Sequence, residues 1–283
     1  MDVSIGIMAY NEEKNIGKLL KTLLGQNLDS VKEIIVVNDG STDRTENIVK
    51  KFSKNKKIKL INLKKRSGKV NAINVFLKTA KSEILIIKSA DTIPKDNAIK
   101  YLIDEFKDPK IGIVGAHAIP INKKDNFVNF FGRFVYKLHH KISLKNPKFG
   151  ELIAFRKVIS NVQDILVDEE YIAMLIKKKG YKLKYCPKAI FYNKQPSTLT
   201  EIIVRRRRYI AGHMDLSKKG YTVSTHKLSN VIITLIKNLE LRTIHFIFLA
   251  ILLEVYIRFL AFYDYYFTKS NYLWKIAKST KKL

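Results

Sequence analysis

Acidic side chains follow directly after apolar segments of this chain, where they could act on a ligand. Asp39 comes after the β-branched run 34–37 and lies in the polar stretch 38–43. The run does not alternate, which is typical of a strand buried on both faces, and Gly40 permits the positive φ of a tight turn. Ligands bind at the carboxyl ends of strands in an open parallel sheet. Asp39 is therefore predicted to present its carboxylate to a ligand crevice, although a plain turn former has the same signature.

Polar residues also follow the other predicted strands of the first hundred residues. These are Tyr10, Asn11 and Glu12 after strand 3–10, Gly68 and Lys69 after strand 57–63, and Asp91 after strand 83–87. Each could be a cap, a turn or a solvated lysine, but together they lie at one edge of the predicted sheet. The set suits a nucleoside diphosphate: Asp39 would accept from the base or ribose, Lys69 would meet a phosphate, and Asp91 would hold a bridging divalent metal.

The hydrophobic periodicity indicates the elements that must position these residues. Apolar strand patterns alternate with helical patterns through residue 91, and this β-α-β-α-β-α-β order is typical of a doubly wound, mostly parallel sheet. Beyond it we predict a helix from Pro94 to Lys107, a strand at 111–116, helices at 127–140 and 198–218, and an acidic helix start at 167–171. The predicted class is α/β, with helices flanking the sheet and an apolar helical appendage on the C-terminal side.

The motifs at these positions resemble the successive motifs of family 2 glycosyltransferases with the GT-A fold. They read Ala9-Tyr10-Asn11-Glu12-Glu13, Val37-Asn38-Asp39-Gly40-Ser41-Thr42-Asp43, Gly68-Lys69-Val70-Asn71-Ala72-Ile73-Asn74 and Ser89-Ala90-Asp91. The resemblance covers about residues 1 to 215 and implies a nucleotide-sugar donor and an inverting single displacement. It implies that the donor is bound by Ala9, Tyr10, Asn11, Glu12, Asp39, Gly68, Lys69, Ala90 and Asp91.

The end of the predicted fourth strand departs from the family pattern. The family has Asp-X-Asp there, and this chain has Ser89 in place of the first carboxylate. The second carboxylate is generally the direct metal ligand, so the resemblance implies that Asp91 alone holds Mg²⁺ or Mn²⁺. Such a site is chemically reasonable because the donor phosphates supply further oxygen ligands.

The second half of the chain resembles the acceptor side and the general base of the family. Gly150 and Glu151 stand in a segment similar to the acceptor-side strand, where a glycine lets the backbone approach the sugar. Asp168 and Glu169 occupy the positions of a Glu-Asp pair in inverted order, so either could be the base. An inverting transfer needs one carboxylate within hydrogen-bond reach of the acceptor hydroxyl. Without the resemblance, the helix dipole would explain these acids in a first helical turn.

Arginines fill positions 205–208, directly before Tyr209. The run resembles the Gln-X-X-Arg-Trp motif of polysaccharide synthases, with Arg205 at the Gln position and Tyr209 at the Trp position. The resemblance implies that an arginine, Arg206 or Arg208, meets the diphosphate and that Tyr209 lines the acceptor path. Successive positions face all sides of a helix, so part of this run is expected to be solvated.

The charge balance indicates a polyanionic partner. Lys and Arg number 53 against 25 Asp and Glu in 283 residues, a formal net charge of +28. Nucleic acid, an anionic membrane surface and phosphorylated substrates all suit such a surface. The acidic cluster at the strand ends would repel nucleic acid phosphates, so we expect no nucleic acid partner. Cys186 is the single cysteine, which excludes an intrachain disulfide.

Residues 244–267 form a strongly apolar stretch that is long enough to span a bilayer. Glu254 and Arg258 near its centre make spanning costly, although their i,i+4 spacing lowers that cost. A single span favours asymmetric charge, whereas this stretch has basic residues on both sides, which favours an interfacial helix. The flanking residues are Lys237, Arg242, Lys269, Lys275 and Lys278. A soluble oligomer interface is the alternative.

Together these features predict a membrane-associated inverting glycosyltransferase of the hexosyltransferase type. Residues 1–220 would form the catalytic domain, with a nucleotide-binding half at 1–91 and an acceptor half at 92–220, and 221–283 would form a membrane-associated helical tail. We expect it on the cytoplasmic face of the cell membrane, lying on the surface or crossing it once. The donor would be a nucleotide diphosphate-sugar and the acceptor a lipid-linked sugar or glycan hydroxyl. The alternatives are a polyprenyl-phosphate glycosyltransferase and, in another class, a basic nucleic-acid-binding protein.

Overall fold

The computed structural model of the protein describes residues 1–26, 28–123, 126–221, 223–224, 231, 233–234, 244–267 and 278–281. Much of the predicted tail, 221–283, therefore lies outside the described residues. Four of the basic residues that flank the apolar stretch also lie outside the described residues: Lys237, Arg242, Lys269 and Lys275. The side chain of Lys278 lies outside them as well.

Within the described residues, one sheet of eight strands is flanked by eight α-helices. The strands are β1 Val3–Ala9, β2 Val31–Asn38, β3 Ile58–Asn62, β4 Ile84–Ser89, β5 Thr92–Pro94, β6 Ile111–Pro120, β7 Leu152–Arg156 and β8 Lys182–Asn193. The helices are α1 Ile16–Leu24, α2 Thr45–Phe52, α3 Lys69–Thr79, α4 Ala98–Asp104, α5 Phe127–Ser143, α6 Asp168–Lys178, α7 Leu199–Lys218 and α8 Ile244–Phe267.

The strand order across the sheet is β3-β2-β1-β4-β7-β6-β8-β5. The first four positions form a parallel block, in which β1 pairs with β2 and β4, and β2 pairs with β3. β7 lies antiparallel between β4 and β6, and so joins the parallel block to the strands of the second half of the chain. β8 runs parallel to β6, and β5 closes that edge antiparallel to β8.

Alternate residues of the central strands face two different cores. Ile34 and Val36 of β2 belong to the core that α1 and α4 cover, and Ile35 and Val37 belong to the core that α3 and α6 cover. Because successive side chains of a strand point to opposite faces, burial on both faces requires a continuous apolar run. Because β2 and β4 both pair in parallel with β1, the carboxyl ends of these three strands lie side by side at one edge of the sheet.

Helix α8 packs on α5 and α7 through a third apolar cluster, which includes Phe131, Ala250 and Ile257. It is the one helix in the described part of the chain that is long and apolar enough to cross a membrane, with a mean hydropathy of 2.1. Much of its apolar surface is exposed, notably at Phe248, Leu252, Val255, Tyr256, Phe259, Phe262, Tyr263, Tyr266 and Phe267.

The predicted α/β class, with a mostly parallel sheet, flanking helices and an apolar C-terminal helix, is confirmed. One element prediction is wrong: Pro94 does not start a helix but ends β5, and α4 begins at Ala98. The physical reason is that residues 92–94 pair with β8 at the edge of the sheet. An edge strand tolerates proline because the missing N–H is not needed there.

Candidate active site

Asp39 lies just after β2 and fixes the loop that begins α3. Its carboxylate accepts hydrogen bonds from the N–H and the hydroxyl of Ser67, each at 2.7 Å, and from the N–H of Gly68 at 2.9 Å. Gly40 has a φ of +66°, and a Cβ there would come within 2.6 Å of the backbone nitrogen of Arg66. Only glycine therefore lets the loop after β2 approach the loop before α3. A carboxylate has about four acceptor sites, which leaves Asp39 capacity for a ligand.

The loop after β1 is held against the loop after β2. Asn11, with a φ of 51°, accepts a hydrogen bond from the N–H of Thr42 at 2.8 Å. The Arg66 guanidinium lies over the Tyr10 ring, 4.3 Å from its centroid. These loops bring together predicted donor-binding residues at one edge of the sheet, as their spacing suggested: Ala9, Tyr10, Asn11, Asp39 and Gly68.

The carboxylates of Glu12, Asp91 and Glu151 repel one another near the end of β4. Burial, and then the charge of Asp91, raises the pKa of Glu12 to about 7. Burial also raises the pKa of Glu151; the Arg205 guanidinium opposes this rise and Asp91 adds to it. A divalent cation would relieve this repulsion, and hard carboxylate oxygens suit Mg²⁺ or Mn²⁺. Among the described residues, however, no three His, Cys, Asp or Glu side chains form a metal-binding group. A metal at Asp91 therefore fits when donor phosphates complete its coordination.

Lys88 of β4 lies beneath this turn. The side chain is fully buried and donates to the Thr92 carbonyl at 2.5 Å. Burial lowers the pKa of Lys88 to about 7, although Asp91 and Glu151 oppose that shift. Sequence reasoning missed this residue; a lysine that continues an apolar strand is the signal that could have found it.

Lys281 reaches the loop after β1 from a distant part of the sequence. Its ammonium pairs with the Glu12 carboxylate and donates to the Tyr10 carbonyl at 3.1 Å. The carbonyl of Lys281 accepts from the Asn15 side chain at 3.2 Å. No sequence pattern marks this lysine, because its role depends on a long-range contact.

Lys69, the first residue of α3, lies between two carboxylates in the first turn of α6. Its Nζ is 2.7 Å from Asp168 Oδ2 and 2.5 Å from Glu169 Oε1. Burial alone would lower the pKa of Lys69, but the two carboxylates raise it above its ordinary value. The sequence predicts a phosphate contact for this lysine, and the structure places its ammonium against both candidate bases. The ion pairs thereby tie the start of α3 to the start of α6.

The two candidate bases differ in protonation and in exposure. Burial, and then the charge of Glu169, raises the pKa of Asp168. Burial would also raise the pKa of Glu169, but the Lys69 ammonium holds it below its ordinary value. Glu169 borders a cavity, and its side chain is 12% exposed, against 3% for Asp168. Glu169 is thus the more acidic and the more exposed member of the pair.

Arg205 joins the acceptor-side loop to α7. Its guanidinium is 2.8 Å from Glu151 Oε1 and lies within 3.3 Å of the hydroxyl of Tyr136. Glu151 also accepts from the Asn193 amide at 2.5 Å. A Cβ on Gly150 would meet no atom within 4 Å, so this position is open to a ligand. The sequence assigns Arg205 to a Gln position and misses this contact.

The remaining arginines of the run contact other groups. Arg206 pairs with Glu254 of α8 at 2.6 Å, and Arg207 donates to Asp264 of α8 at 2.6 Å. Arg208 is buried and lies 5.1 Å from the centroid of the Tyr209 ring. The predicted diphosphate contacts of Arg206 and Arg208 stay predictions, and Arg206 binds the apolar helix.

A cavity of about 400 Å³ extends from these groups to α8. Glu151, Glu169 and Tyr209 lie in its polar wall. Its other walls come mainly from α5, α7 and α8, and most of their lining is apolar; examples are Phe131, Val135, Ile202, Ala250, Ile251 and Val255. The cavity thus connects the candidate base with the helix whose outer face is exposed.

Two family models match the sequence. The model described as glycosyl transferase family 2 matches residues 4–161, and the one described as glycosyl transferase family group 2 matches residues 84–274. The chain belongs to glycosyl transferase family 2. The poly-beta-1,6-N-acetyl-D-glucosamine synthase of Staphylococcus epidermidis is 28% identical over an alignment of 243 residues that covers 80% of this chain and 58% of that protein. The synthase of the same name from Staphylococcus aureus strain COL is 28% identical over 73% of this chain and 53% of its own length. The family 2 chain therefore spans little more than half the length of these relatives.

Solved structures share the fold. The mannosyltransferase PcManGT from Pyrobaculum calidifontis, in complex with GDP-Man and Mn²⁺, has a TM-score of 0.69 at 19% identity and covers 95% of this chain and 88% of that one. S. aureus TarS 1–349, in complex with UDP-GlcNAc, has a TM-score of 0.52 at 20% identity and covers 76% of this chain and 67% of that one. The predicted family, its resemblance to polysaccharide synthases and its GT-A type fold are confirmed.

The ion pair of Lys69 predicts a pH effect. In Lys69→Met the ammonium that lowers the pKa of Glu169 is lost, so the pKa rises and Glu169 is protonated at higher pH. An opposite charge at this distance shifts a carboxylate by roughly 1 to 3 units, so we expect the acidic limb of the turnover profile to move up by about that amount. Lys69→Arg retains the charge and should leave the limb close to that of the wild type. If the acidic limb did not move in Lys69→Met, the limb would not report a Glu169 carboxyl whose pKa is lowered by Lys69.

Proposed function

We propose that this family 2 member transfers a hexose, with inversion and metal assistance, from a nucleoside diphosphate-sugar to a hydroxyl of a lipid-linked sugar or glycan. The observation that carries the proposal is the position of Glu169, which borders the cavity and pairs with Lys69, the ammonium that lowers its pKa. The ligands of the structural neighbours, GDP-Man and UDP-GlcNAc, support the donor class and are the first donors to test.

The donor would lie at the carboxyl ends of the parallel strands. Asp39 retains an acceptor site there. Gly68, which has a φ of +96°, lies beside open space, because a Cβ on it would meet no atom within 4 Å. Asp91 and the donor phosphates would together hold Mg²⁺ or Mn²⁺. When bound, the metal would neutralise charge that develops on the leaving diphosphate. The Mn²⁺ in the PcManGT complex supports a divalent cation but does not identify the ion used here.

Glu169 would act as the general base. It takes the proton of the acceptor hydroxyl as that oxygen forms a bond to the anomeric carbon, and the bond to the diphosphate breaks with its electron pair on the leaving oxygen. Lys69 keeps Glu169 ionised before the reaction and holds it in place. Asp168, almost fully buried, binds the same ammonium and would position Lys69.

The acceptor would enter through the cavity that α8 helps to form. Ala250, Ile251 and Val255 line the cavity, and the same helix exposes aromatic and aliphatic side chains, Val255 among them. An amphipathic acceptor could therefore keep its lipid part at a membrane surface while its sugar reaches Glu169. The exposed apolar face and the net charge of +28 together support attachment to an anionic membrane, at its cytoplasmic face.

Asp91→Asn should weaken metal-dependent donor binding because it removes the anionic ligand of the cation. Loss of an interaction with a charged group costs roughly 10- to 100-fold in affinity. The measurement is calorimetric binding of UDP-GlcNAc and GDP-Man with and without Mn²⁺. Asp96→Asn, at an exposed carboxylate on the next loop, is the matched control and should bind normally. Equal metal dependence in both variants would contradict the role of Asp91.

Glu169→Gln should retain donor binding but lower transfer by roughly a hundredfold to ten-thousandfold, the usual contribution of a positioned general base. Asp168→Asn should lower transfer less, because this carboxylate does not border the cavity. The assay follows release of the nucleoside diphosphate with a lipid-linked acceptor. Near-normal transfer in both variants would remove the base assignment and favour a polyprenyl-phosphate acceptor, which is already ionised.

Replacing the exposed Phe248, Phe259 and Phe262 of α8 with serine should reduce sedimentation of the protein with anionic vesicles at high salt. Aromatic burial in the membrane is not screened by salt, so the wild type should remain bound under the same conditions. A control variant replaces three exposed apolar residues elsewhere, Tyr101, Ile121 and Leu144. Equal sedimentation of both variants would argue against membrane contact through α8.

A further inference from the structure

His117 of β6 and His140 of α5 stack on each other in the wall of the cavity. Their ring centroids are 3.9 Å apart, and the ring planes differ by 14°. His140 Nδ1 is 2.8 Å from the hydroxyl of Tyr185 on β8. All three side chains line the cavity and are partly exposed. The proposed transfer step uses none of them, so the cluster lacks a role.

The two histidines present neutral polar groups to the cavity. Burial lowers the pKa of His117, and burial followed by the charge of His117 lowers the pKa of His140 to about 4. One nitrogen of His117 bonds the Pro187 backbone, and Nδ1 of His140 contacts Tyr185. A neutral imidazole has one donor and one acceptor nitrogen. Within the described part of the chain, one nitrogen of each ring therefore stays available to a ligand.

The cluster lies beyond the acceptor-side loop on the cavity wall. Gly115 and His117 are two residues apart on β6 and so share a face of the strand. A Cβ on Gly115 would be 3.0 Å from the Lys148 carbonyl, which shows how closely the loop that carries Gly150 and Glu151 packs on that face. Two strand residues advance by about 7 Å, so His117 is the next position beyond this contact.

We propose that His117, His140 and Tyr185 form a subsite for the sugar unit that adjoins the acceptor sugar being glycosylated. The proposal rests on the proposed function and extends it to a preference for acceptors with at least two sugars. The cavity of about 400 Å³ lies in the range of sites that hold drug-sized ligands, which are larger than one hexose.

The chemistry of the cluster fits a sugar better than the other parts of an acceptor. A sugar hydroxyl both donates and accepts, so it can use the free nitrogens of two neutral imidazoles and the Tyr185 hydroxyl. A lipid chain would offer these polar groups no hydrogen bonds, which is unfavourable where it displaces water from them. A phosphate would favour charged donors, and Arg205, Arg206 and Arg258 supply those elsewhere in the cavity wall.

The test compares acceptors of one and two sugars with the full chain. The probes are octyl glycosides of glucose, galactose, mannose and N-acetylglucosamine and of their disaccharides, with the donor that the wild type hydrolyses. His140→Phe retains a stacking ring but removes the nitrogens. Tyr101→Phe, which removes a polar atom from an exposed ring outside the cavity, is the control. We expect the wild type to have a lower KM for disaccharides, and His140→Phe to raise that KM roughly three- to tenfold while leaving the monosaccharide KM, donor hydrolysis and melting temperature unchanged.

Several results would overturn the subsite. One is a wild type without preference for disaccharides, and another is an unchanged KM ratio in His140→Phe. A variant that loses donor hydrolysis or melting temperature to the same extent as disaccharide use would show a packing role instead. A wild type that hydrolyses donor but uses no glycoside would overturn the subsite and leave the donor part of the proposed function standing. Absence of donor hydrolysis would contradict the proposed function itself, and the subsite with it.

Discussion

The ion pair between Lys69 and the carboxylates of Asp168 and Glu169 is the interaction on which the arrangement of the site depends. It joins the first turn of α3 to the first turn of α6, and so sets the distance between the strand-end loops and the cavity. Buried ion pairs are often no more stabilising than apolar residues of the same volume, but removing one partner costs about 3 to 5 kcal/mol. Net stability is thus a poor explanation for this pair. The physical gain is a lower pKa for a buried carboxylate, a property that the proposed role of Glu169 as a general base would use.

Negative charge at the end of β4 is likewise balanced by basic groups that lie close to it. The charge of Asp91 adds to burial in raising the pKa values of Glu12 and Glu151, and the Arg205 guanidinium opposes the rise at Glu151. A diphosphate would add further negative charge to this region. The overall charge of +28 belongs to the whole chain and does not relieve that local excess. A cation that arrives with the donor is therefore consistent with the electrostatics of the site, which composition alone would not indicate.

The spacing of the apolar residues and the topology of the sheet explain how much could be predicted from the sequence. The unbroken apolar run of β2 predicts a strand with two covered faces, and parallel pairing then places Asp39, Asn11 and the end of β4 at one edge. The partners of Lys69 and Arg205 could not be predicted in this way. They depend on β7, which runs antiparallel between β4 and β6 and brings the second half of the chain against the first. A lysine at a strand end suits a phosphate, and only the tertiary fold supplies the two carboxylates that bind it instead.

Composition also leaves the orientation of α8 undetermined, because a spanning helix and an interfacial helix can have the same residues. In the structure, Glu254 and Asp264 face the arginines of α7, and the aromatic side chains face outward. The ion pairs with Arg206 and Arg207 hold α8 along α7 and leave an apolar face of α8 exposed. The charged residues that make spanning costly thus make docking specific, and the helix that contacts the proposed membrane also forms a wall of the cavity that contains Glu169.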